Sequence, residues 1–195
     1  MTMRRQIVAA ALLLACSAGA VAQQGGGVEQ LFMVPPPDWT VGYHDQKGAT
    51  DLTALLPPGQ TRQNWSEMLT VELISGRPAM DVQTTLGQRL DAIRQDCDDV
   101  GAGPAQLAVE NGYDTGIRAI ACPKSKRWGK GELSLYKVIL GRSRTYVISR
   151  HWSGEPFAKD HMPVPARTTE EWLAFMTRVV VCDSGDRQHP CPTSK

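Results

Sequence analysis

The sequence predicts an α+β fold, an antiparallel sheet covered by two main helices. Three observations predict it. Two separate segments, starting at Val82 and at Trp172, repeat apolar residues at steps of three and four, the period of a helix with one buried face. Two turn signals, Asn111-Gly112 and Gly141-Arg142-Ser143, each join a pair of strand-like runs, as hairpins require. Strands grouped in hairpins, with helices returning to cover them, build an α+β layer structure.

The chain opens with Arg4 and Arg5, an apolar run from Ile7 to Ala15, and Ala20-Val21-Ala22 before Gln23. A positive start, a short apolar stretch and a small-residue cleavage site make a secretory signal peptide, residues 1–22. Its nine apolar residues fall short of the roughly 20 that span a bilayer. An alternative reads Leu13-Leu14-Ala15-Cys16 as a lipobox, which would acylate Cys16 and leave the protein as an outer-membrane lipoprotein. Residues 23–29 read as a flexible leader, 30–183 as a single α+β domain, and 184–195 as a C-terminal tail tied by a disulfide.

Gln30 to Val34 is a short apolar strand stopped by Pro35-Pro36-Pro37. From Trp39 to His44, Trp39, Val41 and Tyr43 alternate with Thr40, Gly42 and His44, which places the first three on one strand face. Thr50 to Leu56 is the next strand, ended by Pro57-Pro58-Gly59. Glu67 to Ile74 repeats the alternation.

The period then changes. Val82, Leu86, Leu90, Ile93 and Cys97 line one helix face, with Asp81 as cap. Gln106 to Glu110 turns through Asn111-Gly112 into a strand ending at Cys122. Pro123 to Gly131 is a basic loop. Glu132 to Leu140 and Thr145 to Trp152 form the second hairpin, apolar on both faces and therefore central and covered on each side. Thr168-Thr169-Glu170-Glu171 reads as a capping box for a final helix carrying Trp172, Phe175, Met176 and Val179.

This layout resembles the PsbP/Mog1-like family of α-β-α sandwiches. The resemblance is carried by the opening Pro36-Pro37-Asp38-Trp39-Thr40-Val41, the strand Thr50 to Leu56, and the stretch Asn64-Trp65-Ser66-Glu67-Met68-Leu69-Thr70-Val71. The central helix, the two hairpins and the closing Trp172 helix complete it. The chain also resembles a group of bacterial exported proteins that share the Asn64–Val71 pattern. The resemblance implies the sandwich fold and a binding or accessory role. It supplies no catalytic set to carry over, and fold alone fixes no function.

Cleavage at Ala22 removes two arginines and leaves 173 residues with 19 Lys plus Arg against 20 Asp plus Glu. That balance excludes a general nucleic-acid binder, which needs a clustered basic face. Cys97, Cys122, Cys182 and Cys191 remain. An even count in an exported chain favours two disulfides, with three possible connectivities. The reading adopts Cys97–Cys122, tying a helix end to a strand, and Cys182–Cys191, closing a loop around Pro190. A metal site of Cys182, His189 and Cys191 matches no common zinc spacing.

The best interaction candidate is the basic loop, with Lys124, Lys126, Arg127 and Lys130 around Trp128. Trp and Arg are enriched where binding energy concentrates. Its plain alternative is a solvated turn whose Trp128 folds back on the sheet. His151 and Ser153 with a distant Asp outline a hydrolase alternative, without a Gly-x-Ser-x-Gly motif. His161 and Met162 outline a soft metal-handling alternative, although two residues do not define a site. Asp96, Asp98 and Asp99 read as a solvated helix end.

The sequence therefore favours an exported, non-catalytic binding or accessory protein of the bacterial cell envelope, an inhibitor or immunity-type protein being one form of it. It would be periplasmic or secreted and work through a protein partner, without cofactor, metal or nucleic acid, and would touch the membrane only through an acylated Cys16. Nothing in it sets the oligomeric state.

Overall fold

The computed structural model describes residues 28–192. The signal peptide, Cys16 and most of the leader lie outside the described residues, as do the last three residues of the tail.

The elements run β1 (Glu29–Phe32), β2 (Thr40–Lys47), β3 (Thr50–Leu56), β4 (Glu67–Ser75), α1 (Val82–Asp96), β5 (Gly101–Ala102), β6 (Gln106–Glu110), β7 (Tyr113–Cys122), β8 (Gly131–Leu140), β9 (Arg144–Gly154), α2 (Ala166–Arg178) and β10 (Val180–Asp183). The main sheet is antiparallel in the order β2-β3-β4-β9-β8-β7-β5, with β6 also paired to β7. A separate ribbon pairs β1 with β10. The fold is thus the α+β sandwich that the sequence predicts.

The predicted central hairpin, β8–β9, lies at the middle of the sheet, and its pleat separates two cores. Val138 and Val147 pair across the strands and meet Val82 and Leu86 of α1. The adjacent positions point the other way. Leu135, Ile139, Tyr146 and Ile148 meet Trp172, Phe175 and Met176 of α2 in the larger core, which also takes in Val181 of the ribbon. Each face therefore carries one helix, which explains why both strands are apolar on both sides.

Asp81 caps α1 as expected, its carboxylate accepting from the Thr84 amide at 2.6 Å. The capping box expected for α2 is not formed. The helix begins at Ala166 behind Pro165, with no side-chain cap. Thr168 is already inside the first turn, and Glu171 pairs with Arg167 instead. Pro165 stands at the N-cap position with ψ 148° and has no side-chain acceptor to offer the first amides.

Two further differences are tertiary in origin. β5 and β10 are too short to show a period of their own and exist through their pairings with β7 and β1. In β2, a bulge lies between Val41 and Tyr43. Val41 opposes Leu55 while Tyr43 opposes Ala54, so Tyr43 crosses to the face opposite Trp39 and Val41. Gly42 absorbs the bulge; a Cβ there would lie 2.4 Å from Leu56 Cδ1.

Cys97 is joined to Cys122, at the end of α1 and of β7, and Cys182 to Cys191, between β10 and the tail. The tail is further fixed by Asn111, whose amide donates to the carbonyls of Val181 and Pro190.

Candidate functional site

On its own face of the sheet, α1 lies mainly over β7 and β8, reaching Val147 of β9 and, through Arg89, Glu72 of β4. Register places Leu52, Ala54, Met68, Thr70, Ser149, His151 and Ser153 on that same face, in line with Val147. Among the described residues no helix covers this half. Two loops border it instead and leave an open groove of about 580 Å³. Its floor is Leu52, Ala54, Leu56, Met68 and Thr70, with Ser153 and Glu132 at one end. Tyr43, turned inward by the bulge, stands at the β2 side.

The first wall is the loop between β3 and β4, which contributes Arg62, Gln63 and Trp65. Pro57-Pro58-Gly59 turns the chain, the Gln60 amide donating back to the Pro57 carbonyl at 3.2 Å. Gln60 then accepts from the Ser66 amide at 2.8 Å and donates to its hydroxyl at 2.9 Å. Thr61 and Asn64 exchange backbone hydrogen bonds. This closed loop holds Trp65 over the floor and lays the Arg62 guanidinium 3.9 Å from the Tyr43 ring centre.

The second wall is the predicted basic loop, and Ser125 organises it. Its hydroxyl donates to the Asp96 carboxylate at 2.8 Å and accepts from the Trp128 amide at 3.3 Å. Its own amide donates to the Lys130 carbonyl at 2.8 Å. The Cys97–Cys122 disulfide anchors the same loop to α1. The sequence-predicted residues divide. Arg127, Trp128 and Lys130 line the groove, whereas Lys124 and Lys126 do not. Lys126 turns to Asp98 at 2.8 Å. Trp128 is 61% exposed and carries Arg127 over its ring at 4.7 Å, so it does not fold back on the sheet.

Electrostatically the lining holds Arg62, Arg127 and Lys130 against Glu132. None of the three cations has a carboxylate within ion-pair distance among the described residues. Burial, with repulsion from Asp96, pushes the Glu132 carboxyl above its ordinary range, and Lys130 partly opposes this.

Beside the floor, His151 sits edge-on to Trp65 and Tyr136. Its Nδ1 meets the Ser134 hydroxyl and its Nε2 the Ser149 hydroxyl, both at 2.8 Å. Ser149 in turn bonds to Thr70. Burial and the neighbouring Arg150 charge push the imidazole down to about 4. A neutral ring donates to one serine and accepts from the other, so charging His151 would require one serine to turn its hydroxyl away. Both ring nitrogens are engaged by serines other than Ser153, and no carboxylate contacts the ring, so His151 and Ser153 share a face without forming a triad.

Among the described residues His161 and Met162 do not converge with other ligands. Met162 instead lines a small apolar cleft of about 170 Å³ beside Trp172 and Leu173. Among the described residues no three His, Cys, Asp or Glu side chains cluster as a metal set. His189 Nδ1 donates to the Asn111 carbonyl at 2.7 Å, while Cys182 and Cys191 are joined to each other. Asp98 and Asp99 pair with Lys126 and Lys159. Among the described residues no helix is long and apolar enough to cross a membrane.

Sequence reasoning misses Tyr43, Arg62, Trp65 and Glu132 as groove residues. One signal was present: Arg62 and Trp65 repeat, three residues apart, the Arg-Trp pairing of Arg127 and Trp128.

No family model and no curated protein matches the chain. Solved structures with a similar arrangement exist. A mutant of the protein Mog1 is 14% identical, with a TM-score of 0.49 over 78% of this chain and 93% of that one. The Saccharomyces cerevisiae Ran-binding protein Mog1p is 12% identical, with a TM-score of 0.49 over 78% and 94%. LpqN, described as involved in cell envelope biogenesis of Mycobacterium tuberculosis, is 11% identical, with a TM-score of 0.38 over 80% and 84%. The groove and its charges are read from this chain alone.

Proposed function

We propose that this is an exported, non-catalytic binding or accessory protein of the bacterial cell envelope, and that it engages a protein partner through the groove between the Trp65 loop and the basic loop. The observation that carries the reading is the pairing of two hydrogen-bonded loops, each bearing a tryptophan and at least one cation without an ion-pair partner among the described residues, over the part of the sheet face that α1 leaves open. Trp, Tyr and Arg in one depression are the residues that concentrate binding energy at protein interfaces. Two disulfides suit an oxidising compartment, and the signal segment agrees with it. On this reading residues 30–183 act as one unit, and Arg127, Trp128 and Lys130 are contact residues.

The test is in-cell crosslinking followed by recovery from envelope extracts, with wild type and an Arg127→Ala, Trp128→Ala variant. The reading expects at least one crosslinked protein to be lost in the variant while the variant retains wild-type secondary structure. Identical crosslinked sets overturn it.

A further inference from the structure

We infer that the groove receives an acidic segment of its partner, with one aromatic or large aliphatic side chain seated among Tyr43, Trp65 and Trp128. This rests on the groove being a protein-binding site and specifies what it selects. The charge pattern carries the argument. Elsewhere, cations near this face have found carboxylates: Arg89 pairs with Glu72 at 2.9 Å, and Lys126 with Asp98 at 2.8 Å. Among the described residues Arg62 and Arg127 have not, and they enter from opposite walls. Each lies instead against an aromatic ring, Arg62 on Tyr43 and Arg127 on Trp128. A guanidinium stacked in this way keeps its planar donor fork free for a carboxylate. Lys130 adds a third cation at the groove end.

Glu132 is the one carboxyl in the lining, against the three cations Arg62, Arg127 and Lys130, and Asp45 stands by the Tyr43 hydroxyl at the β2 edge. The floor between the cations is apolar, formed by Leu52, Ala54, Leu56 and Met68. A purely polyanionic ligand would leave that surface wet, and a purely apolar one would bury the cations without partners, which costs free energy. A segment with flanking Asp or Glu and one apolar anchor satisfies both.

The test titrates the purified protein with three synthetic decapeptides and follows tryptophan fluorescence at low and high salt. One peptide carries four Glu around a central Phe, the second replaces Glu by Gln, and the third replaces Phe by Ala. Heparin serves as a polyanion without an anchor. The inference expects the first peptide to bind at least tenfold more tightly than the other two and than heparin, with binding weakened by salt. Arg62→Ser and Arg127→Ser should each weaken it about tenfold, while Arg94→Ser on α1 leaves it unchanged. Equal binding of the Gln peptide, of the Ala peptide or of heparin overturns the inference, as does indifference to both arginine variants or no binding by any peptide. If the Gln peptide binds as well and Trp65→Ala abolishes it, the groove remains a protein site and only the acidic selectivity fails. If no peptide binds and the crosslinked sets are also identical, both readings fail.

Discussion

Lys137 Nζ donates to the carbonyl of Val179 at 2.9 Å, at the C-terminal end of α2. The same ammonium donates to the Met176 carbonyl at 2.8 Å and pairs with Glu110. Its side chain has no exposed surface and comes from the middle of the central strand. A cation is favourable at that end of a helix dipole, and the last carbonyls of a helix otherwise lack partners. One buried lysine thus fastens helix, sheet and the β6 edge together.

Replacing Lys137 by Met keeps the volume and removes the charge. It leaves the Val179 carbonyl and Glu110 without the lysine donor, and leaves the Met176 carbonyl only the Val179 amide at 3.3 Å. We expect a loss of about 3 kcal/mol, as for removing one member of a buried ion pair, measured by urea unfolding. Glu110→Gln, at a partly exposed position, should cost less than half as much.

Gly116 fixes how closely α1 lies on the sheet. A Cβ there would be 2.5 Å from Val82 Cγ1, 3.0 Å from Leu107 Cδ2 and 3.1 Å from Leu86 Cδ1. Val82 and Leu86 are the α1 side of the smaller core, so the Val82 side chain or the helix that carries it must shift. Gly116→Ala should destabilise by about 1–3 kcal/mol, the usual cost of overpacking, seen as a lower urea midpoint with an unchanged slope.

The elements legible in the sequence are those with a local signal. Thr50–Leu56 is bounded by its prolines and its alternation, Asp81 reads directly as a cap, and the two hairpins follow from Asn111-Gly112 and Gly141–Ser143. The groove is less legible because it depends on register. Arg127 and Trp128 are neighbours in sequence, so their pairing is visible at once. Tyr43 joins them only through a bulge, and Arg62 and Trp65 only because Gln60 folds their loop back on itself. Lys137 looks like a misplaced charge in an apolar strand until α2 supplies the carbonyls that explain it.

The Cys97–Cys122 bond holds the groove wall as well as the fold. It sits beside Ser125, which bonds Asp96, Trp128 and Lys130. A Cys97→Ser, Cys122→Ser variant should lose about 2–4 kcal/mol, as for opening a loop of this length. Hydrogen exchange at the Ser125, Lys126 and Gly129 amides should accelerate more than at β8 amides. Uniform acceleration would instead mean that the bond stabilises only the fold as a whole.

His151 links stability to acid. Its folded pKa, about 4, lies below the ordinary value of 6.5, chiefly through burial and secondarily through Arg150. The unfolded chain therefore binds the proton more readily, and stability falls as pH drops from about 6.5 towards 4. Protonation also turns both ring nitrogens into donors and breaks the Ser134–His151–Ser149–Thr70 order, because one serine must reverse its hydroxyl. Unfolding free energies measured from pH 7 to pH 4.5 should decline in the wild type. The decline should be shallower in His151→Gln, which can still bond to a serine but does not titrate. Equal slopes in the two proteins would assign the acid sensitivity to other groups, and a ring titration midpoint near 6.5 by NMR would contradict the burial argument directly.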